Sequence, residues 1–120
     1  MVCYDLVDYD KGIENNLKED KFYVVPLMYN KEPRLDATVT YIDKKNKWEI
    51  IDIGGQISVK VKYIEDKYKL KDIKIVQGNQ RVLVATNSDG NLVGYLPYSN
   101  EDELVDIDTL NQKNMMKLRV

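Results

Sequence analysis

Apolar and polar residues alternate over residues 35–41, where Leu35, Ala37, Val39 and Tyr41 are separated by Asp36, Thr38 and Thr40. A period of two marks a strand with one wet face. Before it runs Phe22-Tyr-Val-Val-Pro-Leu-Met-Tyr29, and after it Trp48-Glu-Ile-Ile-Asp-Ile53, both rich in β-branched and aromatic residues. Polar turns at 30–33 and 44–47 separate the three runs, so residues 22–53 predict a three-stranded meander. Pro26 cannot donate to a ladder, which predicts an edge or bulged position for residues 22–28. Strict alternation puts Trp48 and Ile50 on one face of the third strand, and Ile51 and Ile53 on the other. A strand apolar on both faces is expected to be central. Trp48 should then be buried, and Trp48→Ala should cost roughly 3–5 kcal/mol.

Elsewhere the pattern is mixed. Asp8 and Asp10, with Leu6, Tyr9, Ile13 and Leu17 on one stripe, predict a short helix over 10–19. Gly54 and Gly55 end the meander. Residues 57–68 alternate at first, yet Ile57, Val61, Ile64 and Tyr68 also form one helical stripe; length and the charged Glu65-Asp-Lys67 favour a helix. Residues 73–76, 82–86 and 92–98 read as strands, with Gly78-Asn79 and Ser88-Asp-Gly-Asn91 as hairpin turns. The tail offers a strand over 104–107 and a final helix or strand. The halves 10–55 and 57–108 align at Val25 with Val84, Leu35 with Leu92, and Tyr41 with Tyr98, which raises a duplicated helix-plus-meander unit. The expected fold is a single α+β domain over 1–120: an antiparallel sheet built from meanders, with two or three helices packed on one side.

Composition narrows the chemistry. The 120 residues include no histidine and one cysteine, Cys3. Histidine-dependent triads, imidazole acid–base chemistry and ordinary zinc sites are therefore excluded. An internal disulfide is excluded too. The formal charge is −2, from 18 basic and 20 acidic residues, which gives no general attraction to nucleic acid or an anionic membrane. Fifteen of the basic residues are lysine, whereas arginine is the commoner reader of phosphate and guanine. No apolar run approaches the ~20 residues of a membrane span. The first residues carry neither a basic nor an apolar leader region, which leaves two readings: a cytosolic chain, or a domain whose leader has been removed.

The remaining candidate chemistry is thin. Glu101-Asp-Glu103 and Asp106-Ile-Asp108 lack the spacing of a calcium loop and read as solvated turns. The six glycines form no phosphate-binding pattern. Lys60, Lys62, Lys67, Lys69, Lys71 and Lys74 intermix with Glu65, Asp66 and Asp72 as a solvated face. No catalytic, metal or cofactor site is expected. The nine tyrosines are more suggestive, because a phenol joins an apolar face to a hydrogen-bonding tip. Tyr23, Tyr29, Tyr41, Tyr95 and Tyr98 fall on predicted strands, as a recognition platform or as cover for a bare sheet. The residues expected to meet a partner are Phe22, Tyr23, Pro26 and Tyr29 of the edge strand, Asn87, Asp89 and Asn91 of the hairpin tip, and Tyr95 and Tyr98.

The runs Phe22-Tyr-Val-Val-Pro-Leu, Ala37-Thr-Val-Thr-Tyr-Ile and Lys47-Trp-Glu-Ile-Ile-Asp-Ile-Gly-Gly55 resemble the meander of small extracytoplasmic domains of Gram-positive bacteria, among them PepSY-like and cystatin-like domains. The likeness covers about a third of the chain, and the cystatin inhibitory-loop signature is missing from it. It implies a secreted or surface-anchored, non-enzymatic domain that inhibits or regulates a protease or cell-envelope protein. A rigid hairpin or edge strand would enter the partner's cleft by strand addition. The alternative is a cytosolic adaptor or oligomerisation module that self-associates, as a homodimer, through an aromatic sheet face.

Overall fold

The computed structural model describes residues 1–6, 12–13, 17–77 and 81–115. Its strands are β1 (Val2–Leu6), β2 (Leu17–Tyr29), β3 (Glu32–Ile42), β4 (Lys47–Ile53), β5 (Lys71–Gln77), β6 (Arg81–Thr86), β7 (Leu92–Tyr95) and β8 (Val105–Asp106). The helices are α1 (Ile57–Tyr68) and α2 (Ile107–Met115). Among the described residues all eight strands join one sheet, in the order β4-β3-β2-β1-β5-β6-β7-β8. Strands β2, β3 and β4 form an antiparallel meander, and so do β5, β6 and β7. What joins the two is β1, antiparallel to β2 and parallel to β5.

This architecture corrects the expected fold class. The sheet is mixed, the chain is mostly strand, and among the described residues two short α-helices accompany it. Those helices lie on opposite faces. Strand alternation sorts the core into two layers. Cys3, Val24, Ile75, Leu83, Ala85 and Tyr95 pack with Ile57, Ile64 and Leu70 of the α1 layer. Val76, Val82 and Val84 turn the other way and pack with Ile13 and with Leu110 of α2. Residues 82–85 are buried throughout, so β6 carries the covered centre of the sheet.

Local chemistry explains the turns. Asn30 and Lys31 both have positive φ (51° and 66°), the two-residue turn whose twist suits a hairpin. Asn46, at φ 52°, closes a single 3₁₀ turn between β3 and β4. The stripe Ile57, Val61, Ile64 and Tyr68 does form a helix, α1, and Lys69 ends it in the left-handed conformation. Its N-terminus is held from a distance. Asp36, buried in β3, accepts hydrogen bonds from the backbone N–H of Ile57 (2.6 Å) and Ser58 (3.0 Å), and from the Ser58 hydroxyl. Two of the helix's orphan donors are satisfied by a strand carboxylate 21 and 22 residues upstream of them. The same residue's backbone clasps the turn before the helix, with Gly54 N–H to Asp36 O at 2.9 Å and Asp36 N–H to Gly55 O at 3.2 Å.

Three further expectations change. The helix over 10–19 is absent where the structure describes it: Leu17 to Glu19 open β2, Gly12 and Ile13 are not helical, and the rest lies outside the described residues. Of the two expected positions for residues 22–28 the bulge is found, at Leu27–Met28 against β3, while β2 as a whole is interior rather than an edge, flanked by β1 and β3. Pro26 is nevertheless accommodated by an edge. Val24 exchanges backbone hydrogen bonds with Met1 (2.9 and 2.7 Å), so two residues on, the Pro26 nitrogen faces the same side, beyond the end of β1. Strand β7 stops at Tyr95, leaving Tyr98 in a turn.

Candidate functional site

The two-residue alternation of β2, β3 and β4 divides their side chains cleanly. Val24, Asp36 and Thr38 face α1. Opposite faces belong to Tyr23, Val25 and Leu27 of β2, and to Ala37, Val39 and Tyr41 of β3. On β4 the pairs Trp48–Tyr41, Ile50–Val39 and Ile53–Ala37 place Trp48, Ile50 and Ile53 on that same outer face. Ile51 is the extra residue of a bulge opposite Thr38 and Val39. By adding one residue, the bulge returns Ile53 to the face of Trp48 and Ile50. This is why strict alternation over residues 48–53 misassigns Ile53.

The outer face is uncovered. Trp48 is 56% exposed, Ile50 60% and Ile53 59%, with Val25 and Leu27 near 40% and 37%. Trp48 is thus no core residue, and β4 is an edge strand rather than a central one. The reason is the placement of the helices. α1 crosses the inner face from β3 towards β5, and α2 sits at β7 and β8, so among the described residues no element lies over the outer face of β2–β4. The aromatic residues there are ordered against one another: Trp48 meets Tyr23 edge to face at 5.4 Å and Tyr41 at 5.5 Å between ring centroids. Such contacts fix the indole without burying it.

Strand β4 is amphipathic, and both of its sides are largely exposed. Lys47, Glu49 and Asp52 point to the side that carries α1, while Trp48, Ile50 and Ile53 point to solvent. Between Tyr23 and Leu27, and across β3 and β4 at that level, the outer face has no charged side chain.

A second cluster links α1 to the segment after β7. Asp102 accepts hydrogen bonds from the Tyr63 hydroxyl, from Lys67 Nζ (2.9 Å) and from the Tyr95 hydroxyl (2.9 Å), while the Tyr68 hydroxyl donates to its backbone carbonyl (3.0 Å). Lys67 also lies over the rings of Tyr63 and Tyr68 at 5.3 and 5.1 Å. The donated bonds, that of Tyr63 foremost, hold the Asp102 carboxyl down to about 2. Burial first, and then the bond to Asp102, push the Tyr95 phenol up to about 12. Bonds to Tyr63 and Asp102 raise Lys67 above its usual value. Asp102 and Lys67 are held charged and Tyr95 is held as the neutral phenol, each pKa moved further from 7, the reverse of the tuning that acid–base or nucleophilic work uses. The cluster is a clasp on the α1 layer.

The sequence-marked partner residues do not converge on one surface. Tyr23 lies on the outer apolar face, Phe22 and Pro26 on the opposite one, and Tyr29 at the β2–β3 hairpin, where Arg34 sits 5.8 Å over its ring. Asn87, Asp89 and Asn91 form the β6–β7 tip, where the Asn87 side chain accepts the N–H groups of Asp89 and Asn91. Tyr95 is buried in the α1 layer, and Tyr98 is exposed in the following turn. Sequence alone does not single out as partner residues Trp48, Ile50, Ile53, Val25 and Leu27, which together expose apolar surface on the outer face of the meander. The signal was present as a strand apolar on both parities. Only the sheet order shows that neither side of it is central. No helix among the described residues is long and apolar enough to cross a membrane, and no group of three or more acidic or cysteine side chains there is placed to hold a metal ion. No family model matches the chain, and neither do any of the curated proteins or solved structures compared with it.

Proposed function

We propose that this chain is a non-enzymatic association module that pairs with a second copy of itself through the outer face of β2–β4. The exposure of Trp48, Ile50 and Ile53 together on one uncharged face carries the reading. Both sides of the rim strand β4 meet water: Lys47 and Asp52 stand exposed on the α1 side, as charges do, whereas Trp48, Ile50 and Ile53 leave apolar surface in water on the other. Covering that face would recover the hydrophobic free energy it now forgoes, at about 25 cal/mol per Å².

A second copy suits the face because a two-fold interface sets a patch against itself, and any net charge on it would repel. This patch has none. Steering of an unlike partner usually relies on charge, which is absent. Three strands about 4.8 Å apart and seven residues at about 3.3 Å each give a patch about 14 by 23 Å, the size of the largest apolar patch on an ordinary monomer, which is often functional. It is small for an obligate dimer, so the pairing is weak and reversible, with the two sheets stacked about 10 Å apart.

Sedimentation equilibrium tests the reading, comparing the native chain with Ile50→Lys. The native chain should approach a dimer near 100 μM or somewhat above, a concentration on the order of weak protein affinities. The lysine variant should stay monomeric with unchanged circular dichroism. A native chain that remains monomeric at about 1 mM, or a variant that dimerises equally well, would remove the proposal.

A further inference from the structure

The inner face has its own feature. At the end of the sheet away from the α1 N-terminus, Cys3, Phe22, Thr38, Ile51, Asp52, Gln77 and Arg81 line a hollow of about 300 Å³. Ile51 and Asp52 belong to β4, while Gln77 and Arg81 belong to β5 and β6, which stand four and five strands away in the sheet order. For these to share one hollow the sheet must curl around its inner face, as an incomplete barrel whose mouth is open. Such mouths are common places for small ligands, and the volume sits at the lower end of ligand cavities.

We propose that this hollow binds a small organic monocarboxylate with an apolar body. The anionic head goes to Arg81. That guanidinium is half-buried, and its Nε–H donates to Gln77 Oε1 at 2.7 Å, which fixes its plane. Among the described residues no carboxylate lies within ion-pair distance of it. A partly desolvated guanidinium, held by Gln77 and with no anion paired to it among the described residues, offers its terminal N–H groups as a fork for one. The apolar body goes to Phe22 and Ile51. The β4 bulge is what brings Ile51 to this side, so the irregularity that completes the outer patch also furnishes the inner wall. Asp52 stands on the wall opposite Arg81. It disfavours a second negative charge at the far end of the ligand, which is why the class is monocarboxylate rather than dicarboxylate.

The probe is 3-phenylpropionate, titrated into the ¹⁵N-labelled full chain and followed by amide chemical shifts. Saturable shifts should centre on Phe22, Thr38, Ile51 and Arg81, with a Kd on the order of 1 mM, as befits a ligand of this size. The uncharged 3-phenylpropanamide and the dicarboxylate adipate should each bind about tenfold or more weakly. Arg81→Gln should weaken the carboxylate about tenfold and leave the amide unaffected, and Arg81→Lys should restore part of the loss. Equal affinity for the amide, no saturable shift with the carboxylate, shifts centred elsewhere, or an Arg81→Lys variant that binds no better than Arg81→Gln would each overturn the assignment. Because the probe's hollow and the outer face lie on opposite sides of the sheet, the Ile50→Lys variant should bind 3-phenylpropionate unchanged, which separates this proposal from the dimer.

Discussion

Trp48 touches Tyr23 across the width of an intervening strand: the rings meet edge to face at 5.4 Å, with planes at 69°, on a side of the sheet open to solvent. Strand β3 lies between them and adds Tyr41 as the second wall of the indole. An aromatic cluster held in place by neighbours but left exposed has little to contribute to the isolated fold. Trp48→Ala should therefore cost only about 1 kcal/mol in denaturant unfolding of the monomer, the scale of aromatic pair contacts, rather than the 3–5 of a core aromatic. The same variant should lose dimerisation. A large stability loss measured at low concentration would return Trp48 to the core.

Asp36 has the opposite profile. It is buried, it belongs to the sheet, and three donors at the start of α1 depend on it. Asp36→Ala leaves those donors without a partner and should destabilise the chain by about 2–3 kcal/mol in equilibrium unfolding. Amides of α1 should lose hydrogen-exchange protection before those of β6. Equal protection of α1 in the variant would contradict the cap.

Gly94 is packed where a side chain has no room. A Cβ there would fall 2.5 Å from one Leu110 methyl and 3.1 Å from the other, in the contact between β7 and α2. Gly94→Ala should cost about 1–3 kcal/mol by forcing Leu110 aside. Pairing the change with Leu110→Ala should recover part of the local strain, seen as a coupling in a double-mutant cycle.

The Asp102 clasp predicts acid sensitivity with a defined sign. Its carboxyl is held down to about 2 in the folded chain, against an ordinary value near 4. Its contribution is thus complete above about pH 4 and fades as the pH falls through about 2. Tyr95, pushed up to about 12, acts at the other end: its contribution is complete below about 10 and fades as the pH rises through 12. Hydrogen exchange of residues 96–104 should accelerate between about pH 4 and 2 beyond the intrinsic pH dependence. Asp102→Asn should flatten that response. An identical acid profile in the variant would assign the transition to other carboxylates.

What the sequence made legible followed local chemistry. The alternation of Leu35, Ala37, Val39 and Tyr41 predicted β3, and the stripe Ile57, Val61, Ile64 and Tyr68 predicted α1. Strand β1 was illegible because five residues beginning at Val2 carry no pattern that announces a parallel partner 72 residues away, as Cys3 is from Ile75. The fold class failed at this point, since β1 turns two meanders into one mixed sheet. The residues of the outer face were misread for a different reason. Apolar groups on both parities of residues 48–53 imply cover on both sides, but the Ile51 bulge and the rim position of β4 are set by pairing rather than by composition. Asp36 shows the same limit: an alternating polar residue in a strand reads as solvent-facing, yet here it caps a helix.

Trp48 is the only tryptophan in the chain, so its fluorescence reports directly on the surface in question. Emission should be that of a largely exposed indole in dilute solution, and should move to shorter wavelength as the concentration rises through the dimer range. The shift should vanish in Ile50→Lys. An emission maximum that stays at the exposed position up to about 1 mM would contradict the association of this face.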